Sequence, residues 1–216
     1  MDSHYDKVRS NFEGQDHRNY VGGMWDELGL LQFSFLKSQG LLPHHFLIDV
    51  GCGSLRGGRH FINYLQSGHY FGTDINPHLI EKGRSLELDE ALQQKVGDDK
   101  FIVSTDFDVS FEQPTFDYGI ALSVFTHLRR ERIELCLNNL RKKFNGGAFF
   151  ATFFFAGKSE YSSPLKQKRG IVTHPDQDPF HYTEEQIRDI AKNTNWQCEI
   201  IGDFEHPRNQ QMLKFT

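Results

Sequence analysis

Three absences narrow the reading of this 216-residue chain before any motif does. Its cysteines, Cys52, Cys136 and Cys198, are odd in number and far apart, which fits a reducing cytoplasm better than a disulfide framework. Eleven histidines invite a metal reading, yet no C-x-x-C, H-x-x-x-H or H-E-x-x-H spacing occurs, so no metal site is expected. The longest apolar run, 147–157, falls far short of a membrane span. The start, Met1-Asp2-Ser3-His4, lacks the charged and apolar regions of a signal peptide. Both point to a cytoplasmic chain without membrane contact. Excess positive charge is missing as well. A net charge of −5 and a pI near 6.1 argue against nucleic acid as a partner. Lys166, Lys168 and Arg169 form one local basic cluster that would suit an anionic substrate, although such a run is more often a solvated face.

What is present describes a globular protein. Hydrophobic residues make up 38%, charged residues 25%, and mean hydropathy is −0.56, outside the range of disordered chains. The 20 phenylalanines predict aromatic-rich buried strands. Without internal repeats or a low-complexity linker, the length suits one decorated domain over 1–216.

Met24, Leu28, Leu31 and Phe35 share one face of a leader helix that Gly40 and Pro43 stop. From Phe46 onward, strand and helix alternate. Strands are expected at 46–50, 69–73, 101–104 and 116–122, and a helix at 57–66. Asn76-Pro77 reads as an N-cap followed by proline at the first helical position. Ile133, Leu137, Leu140 and Phe144 predict a helix ending at Gly146-Gly147. The run 148–156 holds five phenylalanines without alternation, as a strand covered on both faces would. Thr183 through Gln186 fit a capping box that opens a helix to Asn193, and 196–201 and 211–215 read as closing strands. The expected fold is α/β: a Rossmann-like, mostly parallel, doubly wound sheet with helices on both faces. It divides into a helical leader (1–43), a cofactor-binding core (44–156), an insertion or lid (157–182) and a terminal helix with strands (183–216).

The most informative segment runs from Asp49 to Gly58, where the first strand hands over to a helix. Glycines there let the backbone turn tightly and approach a ligand. Asp74 ends the second strand, 21 residues beyond Gly53, where a carboxylate can accept from both hydroxyls of an adenosine ribose. After the third strand, Asp106 can accept from an adenine amino group while Phe107 covers the ring. Ser123 to His127 follow the fourth strand. In an open α/β sheet these segments would converge on one cleft at the carboxyl ends of the strands. The glycines are spaced G-x-G-x-x-x-G, with Arg56 where a dinucleotide fingerprint has its third glycine. Asp49 would sit poorly beside a pyrophosphate and well beside a ligand carrying an ammonium and a sulfonium.

In sequence order, D-V-G-C-G at 49–53, G-T-D-I-N at 72–76, S-T-D-F at 104–107, F-D-Y-G-I-A-L-S-V-F-T-H-L at 116–128 and F-N-G-G-A-F-F-A-T-F at 144–153 resemble the class I S-adenosylmethionine-dependent methyltransferases. Together they cover roughly 46–155. The leader W-D-E-L-G-L-L-Q-F at 25–33, with G-C-G-S-L-R-G-G at 51–58, also looks like a group of small bacterial members. The resemblance implies seven strands in the order 3-2-1-4-5-7-6 with the last antiparallel, and S-adenosylmethionine as cofactor, leaving as S-adenosylhomocysteine. It implies that Gly51, Cys52 and Gly53, with Asp49 and Ser54 beside them, line the methionine part. Asp74 would hold the ribose, Ile75 would pack on the adenine, Asp106 and Phe107 would fix its amino edge, and Ser123 would approach through its main chain. Arg56 departs from the family's small residue; it either pairs with the methionine carboxylate or is a solvated loop arginine.

Methyl transfer is an in-line displacement that needs positioning and exclusion of water. An oxygen nucleophile needs a base, and His127, which follows the fourth strand, is the catalytic candidate. Tyr20 and Trp25 in the leader and His181 and Tyr182 at the end of the insertion, with His174 nearby, are candidate substrate contacts; a core role for Trp25 and a surface role for the histidines are the alternatives. Cys52 stands near a helix N-terminus, which lowers a thiol pKa, but with no partner motif it reads as a small turn residue. The expected function is methyl transfer to a small-molecule acceptor, on oxygen rather than nitrogen. The alternatives are an NAD(P)-dependent oxidoreductase or a non-catalytic S-adenosylmethionine-binding accessory protein.

Overall fold

The computed structural model describes residues 16–112 and 115–216. The first four residues, on which the signal-peptide expectation rests, lie outside them. The chain divides into two compact units, one up to Tyr118 and one from Gly119. Its main sheet has seven strands, in the spatial order Phe101–Val103, Tyr70–Asp74, Leu47–Val50, Phe116–Ala121, Phe144–Phe153, Gln211–Phe215 and Cys198–Asp203, with Gln211–Phe215 antiparallel to both its neighbours. That is the mostly parallel, Rossmann-like arrangement expected from the alternation of elements. No helix among the described residues is long and apolar enough to cross a membrane.

The first unit begins with a short helix, α1 (His17–Tyr20), capped by the Asp16 carboxylate, and then α2 (Trp25–Ser38). The buried face of α2 is Trp25, Leu28, Gly29, Gln32 and Leu36, one residue round from the apolar face the spacing predicts. The reason is its neighbour. A Cβ on Gly29 would lie 2.6 Å from the Arg56 carbonyl oxygen, and the Gln32 side chain fills the space beside Gly57. A small and a polar residue therefore face the glycine loop, while Phe33 stacks on His60 and meets Phe61 and Tyr64 edge-on. Strands β1 (Leu47–Val50), β2 (Tyr70–Asp74) and β3 (Phe101–Val103) are parallel. Helix α3 (Gly58–Tyr64) is a turn shorter than expected, and Phe61, Ile62 and Leu65 are buried. Asn76 caps α4 (Pro77–Glu87), accepting from the His78 amide. Helix α5 (Glu90–Val96) precedes β3.

Helix α4 packs against the glycine loop so closely that a Cβ on Gly83 would lie 2.5 Å from the Ser54 carbonyl carbon and 2.6 Å from its oxygen. Backbone cannot swing aside as a side chain can. Gly83→Ala should therefore destabilise by about 2 kcal/mol through overpacking, less the ~1 kcal/mol that alanine gains in a helix interior. Thermal denaturation should show a lower Tm; an unchanged or higher Tm would contradict the contact.

Strand β4 (Phe116–Ala121) carries the chain into the second unit, where α6 (Arg130–Arg141) precedes β5 (Phe144–Phe153). Here the periodicity misleads. Phe144 opens the strand instead of closing the helix, and Gly146-Gly147 lie inside β5. Trp196 explains the early stop, because its indole donates to the Leu137 carbonyl, stacks edge-on against Phe144 and lies under the Arg141 guanidinium. Phe149, Phe150 and Phe153 of β5 are fully enclosed, as a strand covered on both faces requires. The insertion has structure of its own, with β6 (Leu165–Lys166) pairing antiparallel to β7 (Val172–Thr173). Helix α7 (Glu184–Asn193) opens on the expected capping box at Thr183 and Gln186. Strand β8 (Cys198–Asp203) starts two residues later than predicted, and β9 (Gln211–Phe215) matches.

Candidate active site

In the first unit, the turn after β1 is closed by its own hydrogen bonds. The amides of Gly51 and Cys52 donate to the Thr73 carbonyl at 2.7 and 3.1 Å, and that of Gly53 donates to Asp74 Oδ2 at 2.8 Å. Gly51 and Gly53 hold positive φ of 71° and 52°, open to glycine without strain. With these three N–H groups used internally, the turn offers a ligand acceptor oxygens and Cα hydrogens instead of donors. That suits an ammonium and is the reverse of what a pyrophosphate needs.

Asp74 Oδ1 also accepts from the Asn76 amide at 2.8 Å. Each carboxylate oxygen thus holds a backbone donor and keeps acceptor capacity, and a pair of acceptors is what the two hydroxyls of a ribose diol require. Burial pushes the Asp74 carboxyl up, and the Asn76, Gly53 and Ile75 amides pull it back. Ile75 beside it is half-buried. Asp49 is deeply buried and accepts from the Tyr70 hydroxyl at 2.8 Å. Burial pushes its carboxyl up to about 7; the Tyr70 hydrogen bond and Arg56 oppose the shift, and Asp74 adds to it. Asp106 is exposed, and its amide, like that of Asp108, donates to Ser104 Oγ. Phe107, at φ 55°, turns inward and is buried.

Several residues of this unit sit differently from expectation. Burial pushes the Cys52 thiol well above its ordinary value, the opposite of the lowering a helix N-terminus gives, and its sulfur fills the space a Cβ on Gly72 would need. Ser54 is fully buried under α4. Arg56 is buried and not solvated: its Nη1 donates to the Val21 and Gly23 carbonyls at 3.0 and 3.1 Å, clamping the leader onto the loop. Trp25 takes the core role. Buried, it lies between the guanidiniums of Arg18 and Arg59, 5.1 and 5.5 Å from the ring. Glu87 fixes this group through a hydrogen bond with His17 and ion pairs with Arg18 and Arg59, a partnership with no local sequence signal. Tyr20 reaches the end of β2; burial and the Asp74 carboxylate push its phenol up, and Asn76 hydrogen-bonds to it.

In the second unit, Ser123 has φ 58°, its amide donates to Thr152 Oγ1 at 2.7 Å, and its hydroxyl donates to Gln210 Oε1 at 2.9 Å. His127 ends the short turn after β4, and its Nδ1 lies 2.5 Å from Asp178 Oδ1. The turn and the insertion are laced together. The Phe180 amide donates to the Thr126 carbonyl, Arg129 donates to the Asp176 carbonyl, and the Tyr182 hydroxyl donates to the Leu128 carbonyl. Asp178, 51 residues from His127, escaped the sequence reading, although it stands three residues before the singled-out His181. His181 itself is fully buried. Its Nε2 donates to the Tyr161 carbonyl and its Nδ1 accepts from Thr173, so both nitrogens are engaged inside the insertion. Tyr182 is buried too, and His174 pairs with Gln177 at the surface. His181 and Tyr182 hold the insertion together instead of facing an acceptor.

Residues 48–150 match the family model for a methyltransferase domain. Among solved structures, the chain is similar to magnesium protoporphyrin IX methyltransferase from Synechocystis PCC 6803 with bound SAH, at 14% identity, covering 94% of this chain and 89% of that one, with a TM-score of 0.61. It is similar to DhpI in its SAH complex at 14% identity, 99% and 93% coverage and a TM-score of 0.63. The glycopeptide N-methyltransferase MtfA gives 12% identity, 87% and 90% coverage and a TM-score of 0.60. These likenesses are of fold. The chain has the fold of these methyltransferases, and its residues 48–150 match a methyltransferase domain.

Proposed function

We propose that this chain, acting as one methyltransferase domain, transfers a methyl group from S-adenosylmethionine to an oxygen of a small-molecule acceptor, with His127 as general base. The His127–Asp178 contact carries this reading. With the Nδ1 proton directed at Asp178, the neutral ring holds its lone pair on Nε2, the tautomer that accepts a proton from a hydroxyl, and the carboxylate stabilises the imidazolium that forms. A neutral amine would need no such pair.

The cofactor, when bound, supplies an electrophilic sulfonium methyl. The acceptor oxygens of the 51–53 turn and the Asp49 carboxylate suit its ammonium, Asp74 its ribose hydroxyls, and Phe107 with Asp106 its adenine. Solved relatives named for a porphyrin and a glycopeptide support an acceptor that is not nucleic acid. Titration calorimetry with S-adenosylmethionine, S-adenosylhomocysteine and NADH tests the reading. Heat is expected from the first two and none from NADH; binding of NADH alone would overturn it. An accessory protein would bind the cofactor yet release no S-adenosylhomocysteine with any acceptor pool.

A further inference from the structure

Residues 16–23 lie against the glycine turn. Val21 Cγ1 stands 3.2 Å from the place a Cβ on Gly53 would take, and Asn76 hydrogen-bonds to the Tyr20 phenol next to the Asp74 carboxylate. The segment closes bonds of its own. The Tyr20 amide donates to the Asp16 carbonyl at 2.9 Å, the Gly23 amide to the Arg18 carbonyl at 3.0 Å, and Asn19 Nδ2 to the Asp16 carboxylate at 2.9 Å. It can therefore move as one piece. No residue of α1 is buried, so that helix has no apolar anchor in the core, the mark of an element that opens locally at low cost.

The two ends of the segment differ. Toward α2, Gly22, Gly23 and Met24 hold positive φ of 94°, 64° and 46° in succession. Met24 carries a side chain in this left-handed region and precedes α2 without a side-chain cap, so the bend is both sharp and strained. At the other end Glu87, the last residue of α4, takes hold. It accepts from Arg18 Nε and Nη2 at 2.7 and 2.9 Å, a bidentate pair, and lies 2.7 Å from His17 Nε2. The Glu87 side chain is 3% exposed and that of Arg18 46%, so one partner is fixed in the core and the other rides on the movable piece.

We propose that residues 16–23 form a strap governing exchange of S-adenosylmethionine and S-adenosylhomocysteine, hinged at Gly22–Met24 and latched by Glu87 onto Arg18 and His17. The inference rests on the methyltransferase reading and adds how its cofactor site opens. Glu87 touches the strap and not the cofactor, so the latch acts alike on the free and the loaded protein. Loosening it raises the open fraction of both by one factor, and entry and exit quicken together. Affinity, the quotient of the two rates, stays as it was. A residue in contact with the cofactor would change affinity instead.

The experiment is stopped-flow binding of S-adenosylhomocysteine to the full chain, read by the fluorescence of Trp25, which follows the hinge and lies 5.1 Å from the Arg18 guanidinium. Wild type is compared with Glu87→Gln and with Arg18→Gln, the latter altering only a half-exposed side chain and so sparing the fold. In both variants the association and dissociation rate constants should rise about ten-fold, the scale of a charge-assisted hydrogen bond, with Kd unchanged. Rates unchanged in Arg18→Gln, or faster exit with Kd weakened by the same factor, would overturn the strap. Trypsin cleavage after Arg18, followed by mass spectrometry without ligand, should likewise quicken about ten-fold in Glu87→Gln, because it tracks the open population. Unchanged cleavage would overturn the strap too. Wild-type protein that binds no S-adenosylhomocysteine would instead overturn the methyltransferase reading, and the cleavage rates would still score the strap.

Discussion

Replacing His127 with alanine should leave affinity for S-adenosylmethionine unchanged and reduce release of S-adenosylhomocysteine by at least ~100-fold, the lower end for loss of a general base. The size of the loss distinguishes acceptors. An amine can attack first and shed its proton afterwards, so a nitrogen acceptor would lose little, whereas an alcohol needs its proton taken as the bond to carbon forms. Asp178→Asn should reduce kcat by about 10-fold or more with the donor KM preserved, because asparagine neither fixes the ring tautomer by charge nor stabilises the imidazolium. Asp178 also sits in a segment bonded to the turn after β4. A lower Tm with intact kcat would make it a structural residue only. Turnover unchanged in His127→Ala would remove the base from the mechanism.

Asp49→Asn should separate stability from binding. Burial raises the Asp49 carboxyl from 3.8 to about 7 in the native chain, so the folded state binds this proton more tightly than the unfolded state does. The stability this provides is complete below pH 4 and is lost as pH rises toward 7, at most about 4 kcal/mol for a shift of this size. Asparagine still accepts from Tyr70 and carries no charge. Thermal denaturation should find the variant more stable than wild type at pH 8 and little different at pH 4. Affinity should run the other way. Wild-type binding of S-adenosylhomocysteine should strengthen between pH 6 and 8 as the carboxylate forms opposite the ligand ammonium, while the variant stays weak across the range. Calorimetry at the two pH values decides it; a parallel rise in both proteins would assign the titration to another group.

The parts of the molecule that were legible in the sequence are those whose signals are local. The apolar run of β1, the Asn76-Pro77 cap and the Thr183–Gln186 box each need only their own few residues, and each stands where expected, whereas β5 exists as expected but begins four residues early. Asp74 was legible because its distance from Gly53 reflects one strand–helix–strand unit. What stayed hidden depends on distant pairing. The buried face of α2 is chosen by the glycine loop it covers, so Gly29 and Gln32 replace the more apolar Leu31 and Phe35. Asp178 and Gln210 meet their partners across 51 and 87 residues, within segments that have no periodicity. Arg56, His181 and Tyr182 suggest chemistry because they are polar and lie in loops. Yet a loop packed into the interior must satisfy its own carbonyls and ring nitrogens, and these side chains serve that need.

The turn at 51–53 spends its amides on Thr73 and Asp74 as part of the strand pairing that joins β1 to β2. Its conformational entropy is therefore lost when the sheet forms, not when a ligand arrives. The rigid floor of the site comes with the fold, and the adaptation that binding demands falls on side chains and on the leader clamped by Arg56.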